Sequence, residues 1–414
     1  MTNTPSAKPG PLSGLKVIEL AHVMAGPACG RLLSDLGADV IKLERPGGED
    51  SRHMAPPYLG TDSAAYVMMN RGKRDICIDL KSEMGRKAFL DLVKDADVLI
   101  ENFRKGTMER LGFGFERLHA LNPRLIVCEI SGYGRTGPMA SEGGFDLMAQ
   151  AMSGLMSFTG EGPGRPPVKI GAPVGDIGAG LLATVGILAA VEERHRSGLG
   201  QRVDTSLFEA ALFQTLWQSA IYLASGDVPE AMGSAHPLDG PYQAFKTRDD
   251  WIVIGAANQA NWLRLLSVME ADSLADDPRF LENPDRMRNL GALVETLTPI
   301  FQSDTAQSWL QRLADGNVPA APILSMDKVL DHPQTRARDM VVNVEHPELG
   351  MTKTLGLPIK FSRTPGQVEG VASPRLGEHA REVLRQAGWA ERDIDRAFED
   401  NALTTNEPVR SDCE

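Results

Sequence analysis

One residue combines a reactive side chain with an unusual setting: Asp176, in Gly171-Ala172-Pro173-Val174-Gly175-Asp176-Ile177-Gly178-Ala179-Gly180. An aspartate ahead of a long apolar run reads first as a helix N-cap, whose oxygen accepts one of the N–H groups that a helix start leaves unpaired. The same placement suits chemistry. The positive end of a helix favours a carboxylate, neighbouring glycines leave room for a substrate, and an accessible carboxylate beside an acyl group is a competent nucleophile.

Other groups are weaker candidates. Gly132-Tyr133-Gly134-Arg135-Thr136-Gly137 matches the dinucleotide fingerprint, yet Pro138 and Gly143-Gly144 stand where the binding helix would begin, so a loop beside an active site is the expected reading. The sequence holds no G-x-S-x-G, H-E-x-x-H or P-loop pattern. Eight histidines are scattered singly, and one such as His22 reads as a capping or packed residue before it reads as a base. Cys29, Cys77, Cys128 and Cys413 are too far apart in sequence for a zinc pattern. They read as reduced thiols, with no metal site expected. The run Asn70-Arg71-Gly72-Lys73-Arg74, with Arg45, Lys81, Arg104, Lys105 and Arg110 near other strand ends, is expected to gather a phosphorylated ligand at the carboxyl edge of a sheet.

The elements that must position these groups come from an ordinary apolar composition, 42% of 414 residues. That length suggests two or three domains. With 43 basic against 55 acidic residues the net charge is −12, which opposes nucleic acid and an anionic membrane. The opening MTNTPSAKPGPLSG lacks an apolar signal core, and the longest apolar stretch, 179–191, falls short of a bilayer, so a cytoplasmic protein without membrane partners is expected. Short apolar runs at 16–20, 39–45, 74–80, 97–102, 124–131 and 201–205 read as strands and alternate with helical patterns through about residue 223. That alternation predicts an α/β fold with a mostly parallel sheet. The expected division is a large domain beginning over 1–225, a small domain over 230–330 with a hairpin around Asp249-Asp250 and a helical 262–313, and a return segment over 340–414 completing the large domain.

Six blocks, LSGLKVIELAHVMAGPACGRLLSDLGADVIKLERP, NRGKRDICIDLK, DVLIENFRKGTMERLGF, LNPRLIVCEISGYGRTGP, APVGDIGAG and the RLGEH of 375–379, make the sequence resemble the class III CoA-transferase family, which includes α-methylacyl-CoA racemases. The resemblance implies an open Rossmann-like large domain, a small α+β domain, and two chains interlocked as a homodimer. It implies coenzyme A and acyl-CoA as substrates with no tightly bound cofactor. By position, Asp176 matches the family nucleophile. Val23, Met24, Arg45, Ile78, Lys81, Asn102, Phe103, Arg110 and Leu111 fall where the family contacts CoA, with the basic residues suited to phosphates and Ile78 to the adenine face. His22, Phe145, Asp146 and Gly178 fall at the substrate pocket. Oxyanion donors are expected from the N–H groups of 178–180 or from the loop 232–245.

Two departures separate the branches. Family racemases carry a histidine before the aspartate of the segment that reads Gly143-Gly144-Phe145-Asp146 here, and two-face proton exchange requires that second group. Phe145 therefore favours transfer over the alternatives, a racemase or a CoA-binding protein without chemistry. The glycine run of formyl-CoA transferases is replaced by 232–245, which disfavours formyl-CoA and oxalate. PYQAFKT and the HPELG of 346–350 resemble transferases that pair succinyl-CoA with short dicarboxylates.

Overall fold

Apolar runs too short for a helix and bounded by turn residues form the central sheet, and the amphipathic segments between them cover its faces. The computed structural model describes residues 10–366 and 372–405. In chain order the first elements are β1 (Lys16–Glu19), α1 (Ala25–Asp35), β2 (Asp39–Glu44), the small hairpin β3 (Tyr58–Leu59) and β4 (Asp62–Ser63), α2 (Ala64–Asn70), β5 (Arg74–Ile78) and α3 (Glu83–Asp95). They are followed by β6 (Val98–Glu101), α4 (Thr107–Arg110), α5 (Phe115–Leu121), β7 (Ile126–Ser131), α6 (Asp146–Met152), α7 (Val174–Ser197), β8 (Arg202–Ser206), α8 (Leu207–Phe213) and α9 (Leu216–Ser225). Next come β9 (Tyr242–Lys246), β10 (Trp251–Gly255), α10 (Gln259–Val268), α11 (Asn283–Arg288), α12 (Leu290–Gln302), α13 (Ala306–Asp315) and β11 (Ala320–Pro322). The chain closes with α14 (Met326–Leu330), α15 (Pro333–Ala337), β12 (Val341–His346), β13 (Gly350–Leu355), α16 (Ala380–Gln386), α17 (Glu391–Glu399) and β14 (Leu403–Thr404).

The first unit comprises Met1–Leu155, Lys169–Ser219 and Pro333–Glu414. Its sheet runs β14-β5-β2-β1-β6-β7-β8, parallel throughout except for β14, which pairs antiparallel with β5. The order steps outward from β1 through β2 to β5, then resumes on the other side with β6, β7 and β8. The two halves therefore diverge between β1 and β6, the position where open α/β sheets form a ligand crevice. One face carries Ile18, Ile41, Ile76, Leu99 and Val127 under α3, α5, α16 and α17. Neither β14 nor the antiparallel β12–β13 pair was apparent in the sequence.

The second unit comprises Met156–Val168 and Ala220–His332, so it begins before the sequence reading placed it and includes a short earlier segment. The expected hairpin is present as β9 and β10, with β11 antiparallel on its far side. Phe245, Ile254, Trp262, Leu297, Phe301 and Trp309 form its core. The stretch read as one helical region is divided into α10 to α13, with Asn289 ending α11 and Thr305 capping α13.

The expected phosphate cluster at 70–74 is a correction. These residues lie at the amino end of β5; the charges of Arg71 and Lys73 are buried, and that of Arg74 is paired at the surface. Lys73 is 2% exposed and pairs with Glu19 at 2.7 Å, Arg71 pairs with Asp35 at 2.7 Å, and Arg74 pairs with Asp39 at 2.6 Å. Lys42, also buried, joins Glu19 and Glu49 at 3.1 and 3.0 Å. Burial is tolerable because each charge has an opposite partner. A second correction concerns α7, whose 24 residues exceed the apolar stretch read from the sequence. By length and hydropathy alone it could cross a bilayer, and in this fold it packs on α1, β7 and β8.

Candidate active site

The loops that follow β1, β2 and β6 meet at the divergence of the sheet. Asn102, just past β6, accepts the His22 N–H at 2.8 Å and donates its amide to the His22 carbonyl at 2.9 Å. Glu49, in the loop after β2, accepts the Val23 N–H at 2.8 Å. Between these two clamps Val23 has φ 63°, a conformation costly for a β-branched residue and held only where the surroundings impose it. Met24 then stands as the N-cap of α1. His22 stacks at a tilt on Phe103, with ring centroids 5.1 Å apart. Burial, and then the Lys42 ammonium, hold the His22 imidazole below its usual pKa, so it is neutral at pH 7.

Helix α7 brings Asp176 to the same edge. A Cβ on Gly180 would lie 2.7 Å from the Ala25 carbonyl and 2.9 Å from Ala28 Cβ. Only glycine allows α1 and α7 this approach, and Asp176 is one turn from that contact. Asp176 is not the N-cap. Pro173 holds that position without a side-chain acceptor, and Asp176 is the third helical residue. The capping oxygen comes instead from α6, where Asp146 Oδ1 accepts the N–H of Gly175 at 2.7 Å and of Asp176 at 3.3 Å. Val174 N–H reaches the Ala172 carbonyl and Ile177 N–H the Pro173 carbonyl. The first turn of α7 thus has no free N–H, and residues 178–180 lie within the helical hydrogen-bond ladder. The expected oxyanion donors there are overturned.

Asp176 is half-buried, and its carboxyl pKa is pushed up to about 6, first by burial and then by the Asp146 carboxylate. At neutral pH it remains mostly ionised, with more basicity than an ordinary aspartate. Phe145 is 71% exposed at the start of α6. Gly178 is turned toward α8, where a Cβ would lie 2.7 Å from Gln214 Nε2, so its missing side chain serves helix packing rather than substrate access.

The other expected CoA contacts divide into three groups. Arg45 and Lys81 are exposed beyond β2 and β5, with Arg45 held by Asp50 and the Gly48 carbonyl, and Arg110 is exposed and donates to Thr107 at 2.8 Å. Phe103 and Leu111 are half-buried against the core. Ile78 is 1% exposed within that core and presents no surface to an adenine ring, which corrects the role expected of its side chain.

The glycine-rich loop after β7 has a structural explanation. Gly132 and Gly144 pack backbone to backbone, and a Cβ on either would meet the other's Cα at 2.7 Å. Arg135 ties the loop down through Glu101 and through Glu129 at 2.9 Å, and its N–H donates to Asp204 at 3.1 Å. Burial pushes the Glu129 carboxyl up to about 7. Sequence reasoning missed Glu49, Gln150 and Arg135 as site-building residues. A polar residue one step past a buried strand, as Asn102 is, was the signal available.

A family model described as CoA-transferase family III matches residues 12–380. The chain is 38% identical to the succinate–glutarate CoA-transferase of Agrobacterium fabrum, the match covering 95% of this chain and 99% of that one. It is 39% identical to the acetyl-CoA:oxalate CoA-transferase of Acetobacter aceti, covering 93% and 98%. A crystal structure of a CAIB/BAIF family protein from Brucella suis superposes with a TM-score of 0.83 at 39% identity, covering 92% of this chain and all of that one.

Proposed function

The chain belongs to CoA-transferase family III, and from that premise we propose that it moves CoA from succinyl-CoA to a short dicarboxylate through covalent intermediates on Asp176. The observation that carries the reading is a half-buried carboxylate of raised basicity, on the first turn of α7 and one turn from the close contact of Gly180 with the start of α1. The Asp176 carboxylate attacks the thioester carbonyl, the C–S bond breaks, and CoA leaves as thiolate from a mixed anhydride. The thiolate returns to the aspartyl carbonyl and releases the donor acid, leaving an aspartyl-CoA thioester. The acceptor carboxylate then attacks that thioester, and CoA finally transfers to the acceptor carbonyl, freeing Asp176. Dividing one exchange into acyl transfers lowers each barrier.

The exposed cations Arg45, Lys81 and Arg110 are suited to the CoA phosphates by charge and access. Both relatives named above have dicarboxylates as acceptors or donors in their names, which supports the acceptor class. The 232–245 segment and PYQAFKT favour succinyl-CoA and a short dicarboxylate over formyl-CoA and oxalate. Phe145, at the position where racemases carry histidine, argues against α-proton exchange. A homodimer of interlocked chains would cover the exposed apolar residues Leu147, Met148, Leu181, Val185, Phe213 and Trp217 on the first unit. We place the protein in the cytoplasm, consistent with the buried free thiols of Cys29, Cys77 and Cys128. Cys413 lies outside the described residues.

Oxygen-18 tests the mechanism. With label in the acceptor carboxylate, each turnover leaves one acceptor oxygen on Asp176, and a later turnover passes it to departing succinate. Mass-shifted succinate is the expected result over many turnovers. Unlabelled succinate, or deuterium uptake at the α-carbon of a 2-methylacyl-CoA without CoA transfer, overturns the reading.

A further inference from the structure

A helix start exposes four N–H groups, and a proline N-cap supplies no side chain to receive them. At α7 the deficit is met from another helix. Asp146, the first residue of α6, takes two of these N–H groups on Oδ1. Its Oδ2 accepts Gln150 Nε2 at 2.6 Å. Gln150 is fully buried, and its Oε1 accepts the Ile170 N–H at 2.9 Å. Two side chains one turn apart on α6 thus hold both ends of the segment 170–176, the backbone that carries Asp176.

We propose that Asp146 and Gln150 are positioning residues for Asp176, a polar cradle that fixes the orientation of the carboxylate and keeps a like charge beside it. This rests on the reading of Asp176 as nucleophile, and it replaces the expectation that Asp146 contacts substrate. Around the first turn of α7, α6 contributes the Asp146 carboxylate and the segment after α8 the neutral Gln214 amide, while the Cys29 thiol of α1 lies two turns farther on, against Thr184. Asp146 is the carboxylate whose charge raises the Asp176 carboxyl, so it is the group whose removal changes the field there.

Hydrogen-bond arithmetic makes the cradle testable. Both Asp146 oxygens accept. In Asp146→Asn one becomes an NH2 group that faces the NH2 of Gln150, two donors with no acceptor between them. Adding Gln150→Glu restores an acceptor toward position 146 and still leaves an oxygen for the Ile170 N–H, while moving the negative charge one helical turn along α6.

The experiment compares wild type, Asp146→Asn and Asp146→Asn/Gln150→Glu in two assays on the full chain. One follows transfer from succinyl-CoA to glutarate. The other maps, by peptide mass, the pH midpoint of carbodiimide labelling at Asp176, which needs no turnover. Asp146→Asn is expected to lower kcat about tenfold, leave KM for succinyl-CoA within about twofold, and move the Asp176 midpoint below that of wild type. The double variant is expected to recover kcat to within about threefold of wild type with the midpoint still lowered. An unchanged midpoint in Asp146→Asn, or no recovery in a double variant that unfolds at the wild-type temperature, overturns the cradle. Full turnover in Asp176→Ala overturns the nucleophile reading instead, and the labelling midpoint still decides whether Asp146 governs Asp176.

Discussion

At Asp176 two influences oppose each other. The helix end favours the charged form, while burial and the Asp146 carboxylate disfavour it, and the second pair wins to give a carboxyl titrating at about 6. For activity the sign is simple: the nucleophile is lost as pH falls through about 6, so kcat/KM drops roughly tenfold per pH unit below that point. For stability the sign reverses. The folded state keeps a proton that the unfolded chain releases near the ordinary aspartate value, so between about pH 4 and pH 6 stability falls as pH rises. Asp176→Asn is therefore expected to be inactive and, at about pH 8, more stable than wild type by about 1 to 2 kcal/mol, after discounting for solvent reaching a partly exposed group. Denaturant curves at several pH values check this. A constant difference from pH 8 to pH 4 shows that the carboxylate is not strained by its surroundings.

Among the elements, the parallel strands were legible because each is a short apolar run between turn residues, and the hairpin of the second unit was legible around Asp249-Asp250. What the sequence hid was polar burial. Glu19 and Lys42 sit inside strands where a pattern reader sees punctuation, and Lys73 meets its partner 54 positions away, so NRGKR reads as a surface cluster. The start of α7 was misplaced for a related reason: its cap comes from Asp146, 30 residues upstream of Asp176, and no local motif announces it. The same contrast separates two kinds of cation by experiment. Lys73→Ala leaves Glu19 buried with one partner fewer and is expected to lose about 3 to 5 kcal/mol of stability. Arg45→Ala and Arg110→Ala, both exposed, should change stability by less than about 1 kcal/mol while weakening CoA more than pantetheine thioesters that lack the nucleotide phosphates. Unfolding curves run beside ligand titrations distinguish the two. Equal losses for CoA and pantetheine ligands would mean that these arginines serve the fold.

For the whole molecule the decisive question is why so much apolar surface faces outward on the first unit. Leu181 and Val185 are half or more exposed on the same side of α7, four residues apart, and Phe213 and Trp217 repeat that spacing farther along the chain. In an acidic protein of net charge −12, long-range repulsion disfavours casual association, so a second copy would have to be held by this apolar area rather than by charge. Interlocked chains add a topological consequence that an ordinary interface lacks. Two rings closed by their own folded contacts cannot part by loosening the interface; at least one must unfold. Affinity-tagged and untagged copies, purified separately and mixed under native conditions, should then show no mixed dimers over days, even at dilutions where a two-surface dimer would exchange. Brief unfolding in denaturant followed by refolding of the mixture should produce mixed dimers in about half of the population, the random yield for equal amounts. Native mass spectrometry reads both steps directly. Mixed dimers within hours without denaturant would show two separable surfaces in place of linked chains, and a monomer at every concentration would leave the exposed face of α7 without the partner proposed for it.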